Sequence, residues 1–209
     1  MTLPPSAPDW DARYDRADYL FGTEPNAFLK SEAAQLDELG EVLCVADGEG
    51  RNSVWLAKQG FRVHAVDASA IALDKARALA TREGVADAIR FEQVDLTRWH
   101  WPKARYHAVV AIFIQFAGPT ARADLFSGMK EALVPGGLLL LQGYRPEQIG
   151  YGTGGPGAAE NLYDEPMLRS AFDDFEIRKL VSYDAEISEG DGHNGMSALI
   201  DLIARKPVS

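Results

Sequence analysis

The stretch Val42-Leu-Cys-Val-Ala-Asp47-Gly48-Glu49-Gly50-Arg51-Asn52-Ser53 decides the fold. A short apolar run enters a turn with two glycines, and a helical pattern, Asn52 to Lys58, follows at once. A strand, a glycine turn and a helix in that order open a βαβ unit. Glycine at such a turn lets a ligand approach backbone that no Cβ shields. Working outward, further short apolar runs lie at Val63 to Val66, Ile89 to Val94, Val109 to Phe113 and Leu138 to Leu141. Helical patterns fall between them at Ala70 to Arg82 and Thr120 to Leu133. Such alternation implies a parallel sheet covered on both faces, an α/β doubly wound fold.

The flanks complete the architecture. The Pro-rich start to Pro8 reads as a loose tail, and Glu24 to Leu39 carries apolar residues at helical spacing. A long glycine-rich stretch runs from Tyr144 to Tyr163, a length that in a folded domain points to a functional or disordered loop. Asp164 before Glu165-Pro166 predicts an N-cap and a helix ending near Phe172. Glu176 to Tyr183 and Ser197 to Ala204 read as strands, joined through Glu189 to Gly195 as an antiparallel hairpin. The expectation is a single domain with a mostly parallel seven-stranded sheet. Residues 1–40 form an N-terminal lid and helix, 41–145 the core, and 146–209 the loop and hairpin.

Composition narrows the function. Of 209 residues, 21 are Lys or Arg and 31 Asp or Glu, a net charge of −10 with no basic stripe, which argues against nucleic acid as partner. No apolar run approaches the ~20 residues that span a bilayer. The first residues show no secretory signal and Cys44 is the one cysteine, so a cytoplasmic location is expected. No cluster has metal-ligand spacing, and the oligomeric state expected is monomer or homodimer.

Acids mark the strand ends. Asp67 closes the second strand, at about the ~20-residue separation expected of a carboxylate that reaches ribose hydroxyls, and Asp95 closes the third. This spacing permits either a dinucleotide or S-adenosylmethionine. Charge separates them: a pyrophosphate at the helix start would face Asp47 and Glu49, whereas a sulfonium and an ammonium are attracted there.

These residues resemble the class I S-adenosylmethionine-dependent methyltransferases, from Trp10 to the C-terminus. The carrying motifs are Val45-Ala-Asp-Gly-Glu-Gly-Arg-Asn52, Val63-His-Ala-Val-Asp67-Ala-Ser69, Val94-Asp95-Leu96 and Leu133-Val-Pro-Gly-Gly-Leu138. Trp10-Asp-Ala-Arg-Tyr14, with Tyr19-Leu-Phe21-Gly and Pro25-Asn26, looks like the lid of the branch that includes tellurite-resistance and thiopurine methyltransferases. The resemblance implies a Rossmann-like fold, S-adenosylmethionine as cofactor, and Tyr14 and Phe21 as its cover. It places Asp47, Gly48, Gly50, Asn52, Asp67, Ala68, Asp95, Leu96 and Ile112 around the cofactor, with Asp95 toward adenine. Two departures stand out. Where family members carry an acid in strand one and a glycine before the turn, this chain has Cys44 and Ala46, so Asp47 is the candidate to take over the acid's role. No Asn/Asp-Pro-Pro-aromatic motif follows strand four, which weighs against methylation of exocyclic base amines or glutamine.

The expected acceptor is a small molecule, and the branch points to a soft nucleophile: a thiol, or a selenium or tellurium oxyanion. Among His64, His100, His107 and His193, only His193 falls on a hairpin expected to open on the same crevice, which makes it the candidate base. Tyr151 and Arg145 sit on the glycine-rich side, where an arginine suits an anion. Cys44 is expected to be a buried small hydrophobe, Arg51 to face solvent, and Trp99 and Trp101 to pack at the sheet edge. Two other readings stay open: an NAD-dependent oxidoreductase, and an S-adenosylmethionine-binding protein without chemistry.

Overall fold

In a computed structural model, residues 9–36 and 40–208 are described. The Pro-rich start and Leu39 lie outside them. Strands β1 (Glu41–Val45), β2 (Arg62–Asp67), β3 (Ile89–Gln93), β4 (Tyr106–Ile112), β5 (Leu133–Tyr144), β6 (Glu176–Glu189) and β7 (His193–Arg205) form one seven-stranded sheet in the order β3-β2-β1-β4-β5-β7-β6. β1 to β5 pair in parallel, while β7 lies antiparallel to both β5 and β6. The order reverses at β1/β4, the switch point where open α/β sheets form a ligand crevice.

Strand alternation builds two apolar layers. Val42 and Cys44 of β1 face the layer of helices α2 (Ala27–Glu32), α3 (Arg51–Lys58) and α4 (Ala70–Arg82), through Phe28, Leu29, Val54, Leu56 and Leu79. Leu43 and Val45 face the other layer, where α5 (Pro119–Ala132) and α7 (Glu165–Ala171) contribute Leu125, Phe126, Met129 and Leu168. Cys44 is buried, as expected of a small hydrophobe. Trp101 lies against α5, where a Cβ at Gly128 would meet its ring at 2.4 Å, and Trp99 packs beside it.

Two elements differ from the sequence reading. The helix expected over Glu24 to Leu39 is α2, a short helix capped by Asn26, whose side chain accepts from the Leu29 N–H, and a 3₁₀ turn at Ala33–Gln35 follows. The hairpin strands run to the tip, pairing Glu189 with His193 across Gly190-Asp191-Gly192, so the connection is far tighter than Glu189 to Gly195. The charged, half-exposed residues of β6 hide its length, because only one of its faces has a core to meet. Asp164 does cap α7, accepting from the Met167 N–H. Two further short helices, α1 (Trp10–Tyr14) and α6 (Gln148–Tyr151), lie over the carboxyl ends of the strands or beside the hairpin.

Candidate functional site

The turn after β1 follows a backbone path that glycine supplies. Gly48 and Gly50 have φ of +61° and +88°; a Cβ at Gly50 would come within 2.7 Å of Ala76, and one at Gly48 within 2.8 Å of the Tyr14 hydroxyl. Ala46 also sits at φ +48°, left-handed backbone that costs an alanine and that a glycine would adopt freely.

Three carboxylates surround the turn. Asp67, at the end of β2, accepts from the Gly48 N–H at 2.8 Å and the Ser69 N–H at 2.8 Å, and burial raises its pKa. Asp47 accepts from the Ser53 N–H and hydroxyl; burial, with the Asp67 charge adding, pushes its carboxyl up to about 7. Glu49 is buried against the Lys75 ammonium, and neither of its oxygens has a well-directed hydrogen-bond donor. Lys75 also donates to the carbonyls of Tyr14, Arg16 and Asp18, at 3.3, 3.2 and 2.6 Å, pinning the N-terminal segment over the turn. Tyr14 is buried there, its hydroxyl pKa raised by desolvation and by the Asp67 and Glu49 charges. Phe21 meets Tyr14 edge-on at 6.2 Å. The hairpin tip holds this segment from the other side, through Gly192 N–H to the Leu20 carbonyl at 3.0 Å and Arg16 to Asp191 at 2.7 Å.

The remaining cofactor-side candidates differ in setting. Asn52 is buried and accepts from the Asn26 N–H at 2.9 Å. Ala68 is exposed at the β2 end, Ile112 closes β4, and Leu96 is buried with the α5 layer. Asp95 is open to solvent and accepts from the Thr97 hydroxyl and N–H, bonds that hold its carboxyl below the usual range.

Of the three candidates on the hairpin side, the structure brings His193 alone against the rings of Phe21, Phe113 and Tyr144. His193 is buried in a box of aromatic rings: Phe21 at 4.5 Å, Phe113 at 4.4 Å and Tyr144 at 5.6 Å between centroids. Phe113, just past β4, has φ +55° and stacks on Tyr144 at 4.6 Å. The glycine-rich stretch closes over them; a Cβ at Gly155 would meet Tyr144 at 2.9 Å. Arg145 and Tyr151 are elsewhere. Arg145 follows Tyr144, the last residue of β5, and its side chain turns away from that ring to Asp184 and Glu147, which pair with it; Tyr151 donates to Asp184 at 2.9 Å. Arg145, expected to suit an anion, is instead paired with Asp184 and Glu147.

Arg51 corrects a second expectation. It is buried, 8% exposed at the side chain, and paired with Glu189 at 2.7 Å. That carboxylate also accepts from Asn26 Nδ2 at 3.0 Å and the Ala27 N–H at 3.3 Å. Asn26 continues to Gln142 at 2.7 Å, which donates to Asp201 at 2.7 Å. Sequence reasoning missed Arg51, Glu189 and Asn26 as a set. The Pro25-Asn26 pair before α2 was the one available signal, that of a helix cap.

A cationic ligand fits the turn. Its three carboxylates have one ammonium, Lys75, facing them, since Arg51 is committed to Glu189; Gly48 and Gly50 let Tyr14 and Ala76 pack close to the turn. Residues 42–137 match the model of a methyltransferase domain. Among solved structures, one described by the conversion of a disulfide bond into a thioacetal group during echinomycin biosynthesis is 18% identical, with TM-score 0.77 over 96% of this chain and 91% of that one. The N-methyltransferase NodS from Bradyrhizobium japonicum WM9, bound to S-adenosyl-L-homocysteine, is 15% identical with TM-score 0.69, covering 95% and 96%. TehB from Haemophilus influenzae is 17% identical with TM-score 0.68, covering 86% of this chain and 61% of that one. No curated protein sequence matches the chain. The fold is therefore the Rossmann-like methyltransferase fold, and the matches support S-adenosylmethionine as cofactor and a methyltransferase as the enzyme class. Among the described residues no helix is long and apolar enough to cross a membrane, and no group of His, Cys, Asp or Glu could hold a metal.

Proposed function

We propose that this protein transfers a methyl group from S-adenosylmethionine to a soft nucleophile on a small molecule, in the cytoplasm. One observation carries the reading: a tight glycine turn ringed by Asp47, Glu49 and Asp67 under the Tyr14 hydroxyl, acids that suit a positive ligand better than a pyrophosphate. Asp67 would hold the ribose diol and Asp47 the methionine ammonium, with Gly48, Gly50 and Asn52 at the turn. Ala68, Asp95, Leu96 and Ile112 would border the adenosine, under Tyr14 and Phe21. S-adenosylmethionine supplies a methyl group on a positively charged sulfur. The chain's share is to align the acceptor and exclude water, which the ring box and the pinned lid are built to do. A sulfur acceptor is supported by the lid motif and by likeness to the structure described by thioacetal formation, and a selenium or tellurium acceptor by the lid motif alone. His193 is the base for an acceptor that carries a proton.

Calorimetric titration with S-adenosylmethionine, S-adenosylhomocysteine, NADH and ATP tests this. Micromolar binding of the two sulfur ligands alone is expected. Binding of NADH with silence from both sulfur ligands would replace the reading with an oxidoreductase.

A further inference from the structure

We infer that Glu189 is a positioning residue that fixes His193 with its proton on Nδ1, so that Nε2 receives a proton and the acceptor is a neutral thiol or selenol rather than an oxyanion. The inference rests on the methyltransferase reading and names the substrate class of that same site.

The geometry is specific. His193 Nδ1 is buried without a hydrogen-bond partner and lies 3.9 Å from Oε2 of Glu189, the same oxygen that Arg51 grips at 2.7 Å. An unprotonated Nδ1 would turn its lone pair on that carboxylate; a protonated one is attracted, and catalytic hydrogen bonds of this kind commonly shorten when substrate seats. Glu189 cannot drift, because Arg51 from α3, Asn26 Nδ2 and the Ala27 N–H of α2 all hold it. Burial would raise its carboxyl, yet His193 and Arg51 outweigh that and hold it at about 2, so it stays a carboxylate at any working pH. The other charges that bear on the imidazole are Arg51 and Arg13, which, after burial itself, disfavour imidazolium; Glu189 opposes them. Tyr144 is the titratable neighbour from β5.

Phe21, Phe113 and Tyr144 leave the base in an apolar box, which penalises an acceptor that arrives charged. As the acceptor's lone pair forms its bond to the methyl carbon, its proton passes to Nε2 and the carbon–sulfur pair leaves on a neutral thioether. The imidazolium so formed faces Glu189.

The test is nitrogen NMR on the full chain labelled with ¹⁵N-histidine, with His193→Asn to assign the signal. At pH 7.5 the expected pattern is a protonated Nδ1 and a bare Nε2, and Glu189→Gln should lower the His193 pKa by about one unit. A purely structural Glu189 would change melting temperature and leave that pKa alone. A bare Nδ1 in the unaltered chain overturns the inference, even if Glu189→Gln fails to fold. So does an unchanged pKa in a folded Glu189→Gln. Calorimetry with S-adenosylmethionine on the same samples separates the two readings: binding with the wrong tautomer sinks the base geometry alone, and no binding sinks the methyltransferase reading beneath it.

Discussion

The two sides of the crevice bury carboxylates by different means. Around the β1 turn, Asp47 and Asp67 are satisfied by donors 2, 6 and 19 residues away in sequence. On the hairpin side, the ties through Asn26, Arg51 and Glu189 span 116, 138 and 163 residues. The first arrangement forms as soon as two neighbouring strands pair. The second exists only when α2, α3 and the last hairpin have all docked. Local ties make the turn rigid by itself; long-range ties make the hairpin side depend on how the whole chain closes.

Removing Glu189 should expose that dependence most. Glu189→Ala strands the buried Arg51 guanidinium, a change that costs on the order of 3–5 kcal/mol, and a melting temperature lower by roughly 10 °C is expected in calorimetric scans. A shift of a degree or two would mean that the long-range ties are ornamental and the hairpin is held by its strand pairing alone.

On the turn side, Asp67→Ala should weaken S-adenosylmethionine roughly 100-fold, two charge-assisted hydrogen bonds of about 1.5 kcal/mol each. The Gly48 and Ser69 N–H groups also lose their acceptor, so Asp67→Asn, which keeps an oxygen there, is the control: it should fold normally and still bind poorly. Near-unchanged affinity in either would break the ribose assignment.

Asp47 offers a sharper test because stability and binding should move in opposite directions. Its carboxyl is pushed up to about 7 by burial, from 3.8 in the unfolded chain, so the folded state binds the proton more tightly. That contribution favours the fold fully below pH 3.8 and is lost as pH rises through 7. Asp47→Asn, which keeps an acceptor for Ser53, should therefore be more stable than the parent at pH 8, by roughly 1–2 kcal/mol, with the gain gone near pH 4. If Asp47 holds the methionine ammonium, the same variant should bind S-adenosylmethionine about tenfold more weakly. Gain of stability with intact binding would move the ammonium to Glu49.

The same contrast governs what could be read from the chain before folding. The turn, its acids and the helix Ala70–Arg82 are signals within one window, and the Asp164 cap needs only its next three residues. Arg51 was misjudged because the first turn of a helix is ordinarily solvated, and the partner that buries it arrives at the far end of the chain. The hairpin was read too short because apolar alternation fades where β6 forms the sheet edge, while backbone pairing with β7 continues regardless. Arg145 was credited with a role on the strength of neighbouring tyrosines; its side chain turns instead to Asp184 and Glu147, and no motif fixes that direction in advance.

Arg145 and Tyr151 accordingly give the smallest expected effect. Their partner Asp184 is 46% exposed, where ion pairs contribute little, so Tyr151→Phe should leave the melting temperature unchanged. Once an acceptor is in hand, turnover should stay within about twofold, while His193→Asn on the opposite face should abolish the pH-dependent part of the rate. A tenfold loss in Tyr151→Phe would show that the acceptor reaches round the end of β5 to both faces, and would join the two sides of the hairpin into one site.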